Sequence, residues 1–132
     1  MERHNLSALE VAKFLEAHPK VIKVSHPLLP SSPYRPLASR QNRGRHSGMI
    51  AFYLDGGREE AVKFLDRIRI VKRAASLGGT HSLACHPTSL THCQLTETEK
   101  EASQITDNLI RLSIGLENTS DLISDLDQAL QF

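Results

Sequence analysis

A chain of 132 residues can hold one domain with a real core, since domains usually run to roughly 100 to 150 residues. Hydrophobic residues make up 39%, charged residues 23% and the formal net charge is +1, a balance that as a whole favours neither nucleic acid nor a membrane surface. Cys85 and Cys93 are too few for a secreted disulfide scaffold, the start lacks the apolar run of a signal peptide, and no stretch approaches the roughly 20 apolar residues of a membrane-spanning helix; the expectation is a soluble protein of the reducing cytosol.

Ser7-x-x-Glu10 has the pattern of a capping box, with Leu6 and Val11 placed for a hydrophobic staple, and Ala8, Val11, Ala12 and Leu15 recur at helical spacing. The expectation is an amphipathic helix ending near His18-Pro19. The charged, helix-compatible segment Met1 to Asn5 offers no obvious beginning and reads as cut from a longer helix. Val21 to Ser25 alternates apolar and polar residues, as a half-buried strand does. Pro27, Pro30, Pro33 and Pro36 then argue against helix and central strand and predict a crossing loop. Arg35, Arg40, Arg43 and Arg45, with Gly44 and Ser47, make the next stretch basic and flexible.

Gly48 to Leu54 reads as a buried strand closed by the turn residues Asp55-Gly56-Gly57. Ala61, Phe64, Leu65 and Ile68 mark one face of a helix from Glu59 to Ile68, and a short strand is expected around Ile70-Val71. Ala74 to Leu95 has no sustained period and is dense in Gly, His, Ser and Thr, a composition that often lines sites. Leu109 to Gly115 reads as a strand with Arg111 and Ser113 on one face. Ser120 to Gln131 reads as a helix with Leu122, Ile123, Leu126, Ala129 and Leu130 inward. These elements, without strict strand-helix alternation, predict an α+β fold in the form of a two-layer sandwich.

Arg111 is the residue whose placement demands most. A guanidinium in an apolar strand is costly without an anionic partner, which is either an internal carboxylate or a ligand carboxylate held by a bidentate clamp. Ser76-Leu77-Gly78-Gly79 joins a hydroxyl to two glycines that let backbone amides approach a ligand, although a Gly-Gly pair alone usually marks only a turn. Cys85, His86, His92 and Cys93 are of metal-ligand type, but adjacent Cys-His pairs do not easily aim at one tetrahedral ion and no C-x-x-C spacing exists, so no metal site is expected. The basic run from Arg35 to His46 lacks interleaved aromatics other than Tyr34 and reads as a solvated loop. Glu59-Glu60 reads as surface charge.

The run Arg73-Ala74-Ala75-Ser76-Leu77-Gly78-Gly79 is followed by Ser82-Leu83, His86-Pro87, Leu90-Thr91-His92 and then Leu109-Ile110-Arg111-Leu112-Ser113-Ile114-Gly115-Leu116-Glu117. In these motifs, and from Ala8 to Leu15, through Gly48-Met49-Ile50, to Asp121-Leu122-Ile123, the sequence resembles the Cys/Met-metabolism (transsulfuration) family of pyridoxal-phosphate enzymes. The resemblance implies that residues 1–132 form the C-terminal small domain of a fold-type I enzyme, a mainly antiparallel sheet covered by helices. It also implies a larger cofactor domain as partner, a tetrameric parent and a sulfur amino acid as substrate, processed by elimination or replacement at the γ-carbon.

In such enzymes the arginine matching Arg111 clasps the substrate α-carboxylate, helped by the serine matching Ser76 and nearby backbone, so that Ala75, Ser76, Leu77 and Arg111 are the implied substrate-binding residues. The resemblance places the Schiff-base lysine, the ring-stacking aromatic and the phosphate-binding glycines in the other domain, which leaves this chain without catalytic or cofactor-binding residues and inactive alone. Two features depart from the family pattern. Ala75 stands where cystathionine-processing members often carry glutamate, while Arg73-Ala74 looks more like methionine-cleaving members, and Asn42 to Ser47 is slightly longer than the usual connection. Two other readings of the chain are a truncated, non-catalytic paralogue serving as an interaction module, and a small anion-binding or nucleic-acid-binding domain resting on the arginine loop.

Overall fold

The computed structural model describes residues 1–132. In chain order, helix α1 (Glu2–Ala17) leads to strand β1 (Val21–Ser25), α2 (Arg35–Gln41), β2 (Met49–Leu54), α3 (Arg58–Arg67), β3 (Lys72–Arg73), β4 (Leu83–Cys85), α4 (Pro87–Leu90), α5 (Glu97–Ala102), β5 (Leu109–Ser113) and α6 (Thr119–Ala129). The five strands form one sheet in the order β1-β2-β5-β4-β3. The β1–β2, β2–β5 and β4–β5 pairings are antiparallel, whereas β3 runs parallel to β4. The result is a mixed α+β fold with the last long strand, β5, at the sheet's centre.

Alternation decides which face of the sheet is wet. Along β2, Ile50, Phe52 and Leu54 are buried while Met49, Ala51 and Tyr53 are only half-buried. Ile50, Phe52 and Leu54 join Ile110 and Leu112 of β5 in one apolar cluster with Ala8, Val11, Ala12 and Leu15 of α1, Ala61, Phe64 and Leu65 of α3, and Leu122, Leu126 and Ala129 of α6. The rings of Phe52 and Phe64 meet edge to face at 5.5 Å between centroids, an arrangement the aromatic quadrupole favours. Burying each such side chain contributes roughly 1.5–3 kcal/mol, so this one-sided layer supplies the main driving force for the fold.

Several expectations change. α1 begins at Glu2, so Ser7 is not a cap: it is buried inside the helix and accepts a hydrogen bond from the Thr119 hydroxyl at 2.9 Å. Leu6, offered as half of a staple, is 62% exposed. The proline-rich crossing is not free of helix, because Pro36 sits at the second position of α2, where no intrahelical N–H bond is lost and the ring fits. The basic stretch beyond it is therefore helical as far as Gln41. The strand expected at Ile70-Val71 forms two residues later, at Lys72–Arg73, and β4 was hidden in the aperiodic segment. Of the two glutamates read as surface charge, Glu59 pairs with Lys63 at 2.7 Å, but Glu60 turns back to accept from the Gly57 amide at 2.8 Å and caps α3.

Candidate functional site

The site grows from β5. Arg111 lies opposite Ala51 of β2 and Cys85 of β4, on the sheet face away from the helical layer. Its Nη2 donates to the carbonyl oxygens of Ala75 and Ser76 at 2.6 and 3.2 Å. Arg111 makes no ion pair with any carboxylate of the chain, which overturns the internal salt bridge as its partner. Nη1 and Nε have no hydrogen-bond partner in the chain, and the side chain is half-exposed. A planar cation is thus held through one nitrogen, Nη2, on two carbonyls, with the Nη1 and Nε donors left over. Beneath it, burial pushes the Cys85 thiol above its ordinary pKa, and the Arg111 charge opposes that shift.

The loop that receives Arg111 joins β3 to β4 and is anchored at nearly every step. The Ala74 amide donates to Ala84 and the Lys72 amide to Ser82, at 3.0 and 2.9 Å, which closes its two ends on each other. The Gly78 amide donates to the Ser113 hydroxyl at 2.8 Å. One of the two glycine amides expected to approach a ligand is therefore spent on β5, although the loop and Arg111 do come together. The Ser76 hydroxyl is exposed and makes no internal hydrogen bond, and Leu77 is 54% exposed. Ala75, Ser76, Leu77 and Arg111 thus share one rim of the molecule.

A second set of contacts, which sequence reasoning missed, stiffens the far end of this loop. Glu117 accepts from the Ser82 amide and the Ser82 hydroxyl, each at 2.7 Å, while the Ser82 hydroxyl oxygen accepts from the Gly115 amide at 2.8 Å. Burial opposes ionisation of Glu117, but the two hydrogen bonds from Ser82 prevail and hold its carboxyl below the usual range. The only available signal was the pairing of Ser82 with a glutamate two residues after Gly115, which no local pattern links. The Leu116 amide adds a bond to the Thr80 carbonyl at 2.8 Å.

The metal-ligand types do not converge: no three of the chain's His, Cys, Asp or Glu side chains come together to hold an ion. His86 is buried, its Nε2 within 2.7 Å of the Asp107 carbonyl and its Nδ1 within 2.7 Å of the Ser89 hydroxyl, so it ties the chain ends around α4. Cys93 is exposed. No helix is long and apolar enough to cross a membrane.

A mixed sheet with a helical layer on one face and a guanidinium without a carboxylate partner on the other defines an α+β domain that presents a cation at its rim. The class can be narrowed, since residues 1–131 match the family model described as Cys/Met metabolism PLP-dependent enzyme, and the chain belongs to that family. It is 46% identical over 131 residues to cystathionine gamma-lyase of Bos taurus, covering 99% of this chain and 32% of that protein. Over the same length it is 44% identical to L-methionine gamma-lyase of Fusobacterium nucleatum subsp. polymorphum, covering 99% and 33% respectively. A crystal structure from Campylobacter jejuni, described as an O-acetylhomoserine (thiol)-lyase with N'-pyridoxyl-lysine-5'-monophosphate, superposes with a TM-score of 0.95 at 41% identity, covering 99% of this chain and 31% of that one. The chain spans about a third of the length of the relatives it matches.

The family depends on pyridoxal phosphate, and the residues of this chain do not fit that group. Of the six lysines, Lys13, Lys23, Lys63 and Lys72 are exposed. Lys20 lies over the Phe132 ring, and Lys100 pairs with Glu97 at 2.9 Å on an exposed helix. None sits in a desolvated pocket of the kind that makes a lysine a carbonyl-trapping nucleophile.

Proposed function

We propose that the chain is the substrate-side domain of a pyridoxal-phosphate enzyme acting on a sulfur amino acid, and that it binds and orients the substrate rather than the cofactor. One observation carries the reading: Arg111 is fixed by Nη2 on the Ala75 and Ser76 carbonyls, meets no carboxylate of its own chain, and keeps Nη1 and Nε free. A substrate α-carboxylate accepts charge-assisted hydrogen bonds from these remaining donors. The Ser76 hydroxyl, exposed at the same rim, supplies a further donor, and Ala75 and Leu77 shape the wall.

The remaining elements of the reading follow from the family. The small domain of a fold-type I enzyme, in its two-layer form, packs on a larger domain that provides the lysine, and the parent assembles as a homotetramer in the cytosol. Elimination or replacement at the γ-carbon of cystathionine, methionine or an activated homoserine is the reaction class. This chain's share of it is entropic and electrostatic: holding the carboxylate fixes where the α-carbon lies relative to groups on the other domain.

The test follows the Arg111 guanidinium by 15N NMR while L-methionine is titrated, with L-methioninamide, which lacks the carboxylate, as comparison. L-Methionine should shift the Arg111 signal and the amide should not. Arg111→Lys, followed by the Ser76 backbone amide in place of the guanidinium, should bind L-methionine about tenfold more weakly, because a compact ammonium replaces the planar set of donors. An equal response to both compounds would overturn carboxylate recognition.

A further inference from the structure

We infer that the first turn of α1 is a positioning device for the loop that carries Ala75 and Ser76, acting through His4 on that loop and through Asn5 on the arginine-rich loop beside it. The inference rests on the substrate reading only for what the loop is used for, since the contacts themselves involve no ligand.

His4 is 8% exposed, and its Nε2 lies 3.1 Å from the Gly79 carbonyl. A carbonyl only accepts, so the proton resides on Nε2 and the imidazole donates. That choice leaves Nδ1 as a bare acceptor, and Nδ1 is buried with no hydrogen-bond partner. A buried acceptor without a partner costs on the order of 1–3 kcal/mol, a penalty that an apolar ring of similar shape would avoid. Packing alone therefore does not account for an imidazole here, whereas the bond to Gly79 does.

The neighbouring residue faces the other way. Asn5, 7% exposed, accepts through Oδ1 from the His46 amide, and Glu2 one turn earlier pairs with Arg45 at 3.0 Å. The ion pair is exposed on both sides and adds little. The buried amide bond is the firmer tie. Space for this arrangement is made by Gly48, where a Cβ would stand 2.9 Å from the Ile114 carbonyl and 3.4 Å from the His4 Cβ, so only glycine lets α1 come this close to the sheet.

Three successive residues of the loop are then tied to three different places: Gly78 to β5 through Ser113, Gly79 to α1 through His4, and Thr80 to the segment after β5 through Leu116. Ala75 and Ser76, a few residues upstream, hold Arg111. Loosening the Gly79 tie frees the middle of this set and, with it, the carbonyls that aim the guanidinium.

The experiment measures amide hydrogen exchange in the 132-residue chain without ligand. Gly78 and Leu116 report on the loop, and Phe52 and Ile110, paired at the sheet's centre, report on the fold. His4→Phe keeps a ring and removes the donor, and His4→Gln restores an N–H. In His4→Phe, Gly78 and Leu116 should exchange about tenfold faster while Phe52 and Ile110 hold their rates, and His4→Gln should return the loop amides to within about twofold of the original, in line with the loss and recovery of one hydrogen bond. Unchanged loop exchange in His4→Phe, or equal acceleration at Phe52 and Ile110, overturns the inference. A 15N spectrum of the unaltered chain gives a check that needs no variant, because an Nδ1–H tautomer at His4 also overturns it. If the exchange differences hold but L-methionine leaves Arg111 unmoved, the clamp stands and the substrate reading falls.

Discussion

At the scale of single residues, the site depends on small side chains as much as on Arg111. Gly115 lies two residues past β5, where the far end of the loop passes over it. A Cβ at that position would meet the Thr80 carbonyl oxygen at 2.3 Å, the His81 carbonyl carbon at 2.6 Å and Glu117 Oε2 at 2.6 Å, and two of these contacts are backbone that cannot swing aside. Gly115→Ala should therefore cost about 1–3 kcal/mol by overpacking, and should displace Thr80 from the Leu116 amide. Urea unfolding measures the first effect and Leu116 exchange the second; equal stability and equal protection would show that the loop yields freely. Arg111 was legible as a residue needing an anionic partner because a charge in an apolar strand is costly wherever the fold places it. That its partners inside the chain are carbonyls was not legible, since Ala75 and Ser76 reach it only through the β3–β4 crossover.

At the scale of elements, periodicity located what was long and one-sided. α3 and α6 fall where the spacing of Ala61, Phe64 and Leu65, and of Leu122, Leu126 and Ala129, puts them, and β2 and β5 likewise. The failures are elements whose existence depends on tertiary partners. β4 is three residues long and is a strand only because β5 and β3 pair with it on either side. Ser7 imitates a cap, yet its hydroxyl faces Thr119 at the start of α6, a relation no local window contains. The link between α3 and β3 is a similar case. Asp125 of α6 is buried and accepts from the Arg69, Ile70 and Val71 amides at 2.8 to 3.2 Å, gathering the turn into a cap of three N–H groups on one carboxylate. Asp125→Ala would leave those donors unpaired at the edge of the core and should cost about 3 kcal/mol. Asp125→Asn, which keeps one acceptor oxygen, should lose less. Urea midpoints for the two variants decide the matter, and an alanine variant as stable as the original would mean that water replaces the carboxylate.

At the scale of the whole molecule, the resemblance to the Cys/Met-metabolism family was legible in the sequence and the family match over residues 1–131 bears it out, but it says nothing of how the fold responds to pH. That response centres on His26, which follows β1 and is 2% exposed. Its ring meets His46 edge to face at 5.3 Å, its Nδ1 accepts from the Leu28 amide at 3.3 Å, and its Nε2 has no partner. Burial, aided by the charge His46 can carry, lowers its pKa from 6.5 to about 4, and burial also lowers that of His46. A histidine whose folded pKa is depressed binds its proton more readily in the unfolded chain, so stability is full above the unfolded value and falls as pH drops towards the folded one. Between pH 7 and about pH 4.5 this residue should remove about 2.5 kcal/mol of stability. Glu117 acts further down, since its depressed carboxyl contributes stability that is lost only as pH falls through its folded value. Urea unfolding of the original chain and of His26→Leu at the two pH values separates the terms: the variant should show a much flatter dependence, even though the Leu28 amide loses its acceptor and lowers stability at both. An identical slope in the two proteins would move the acid sensitivity away from His26 and onto the carboxylates.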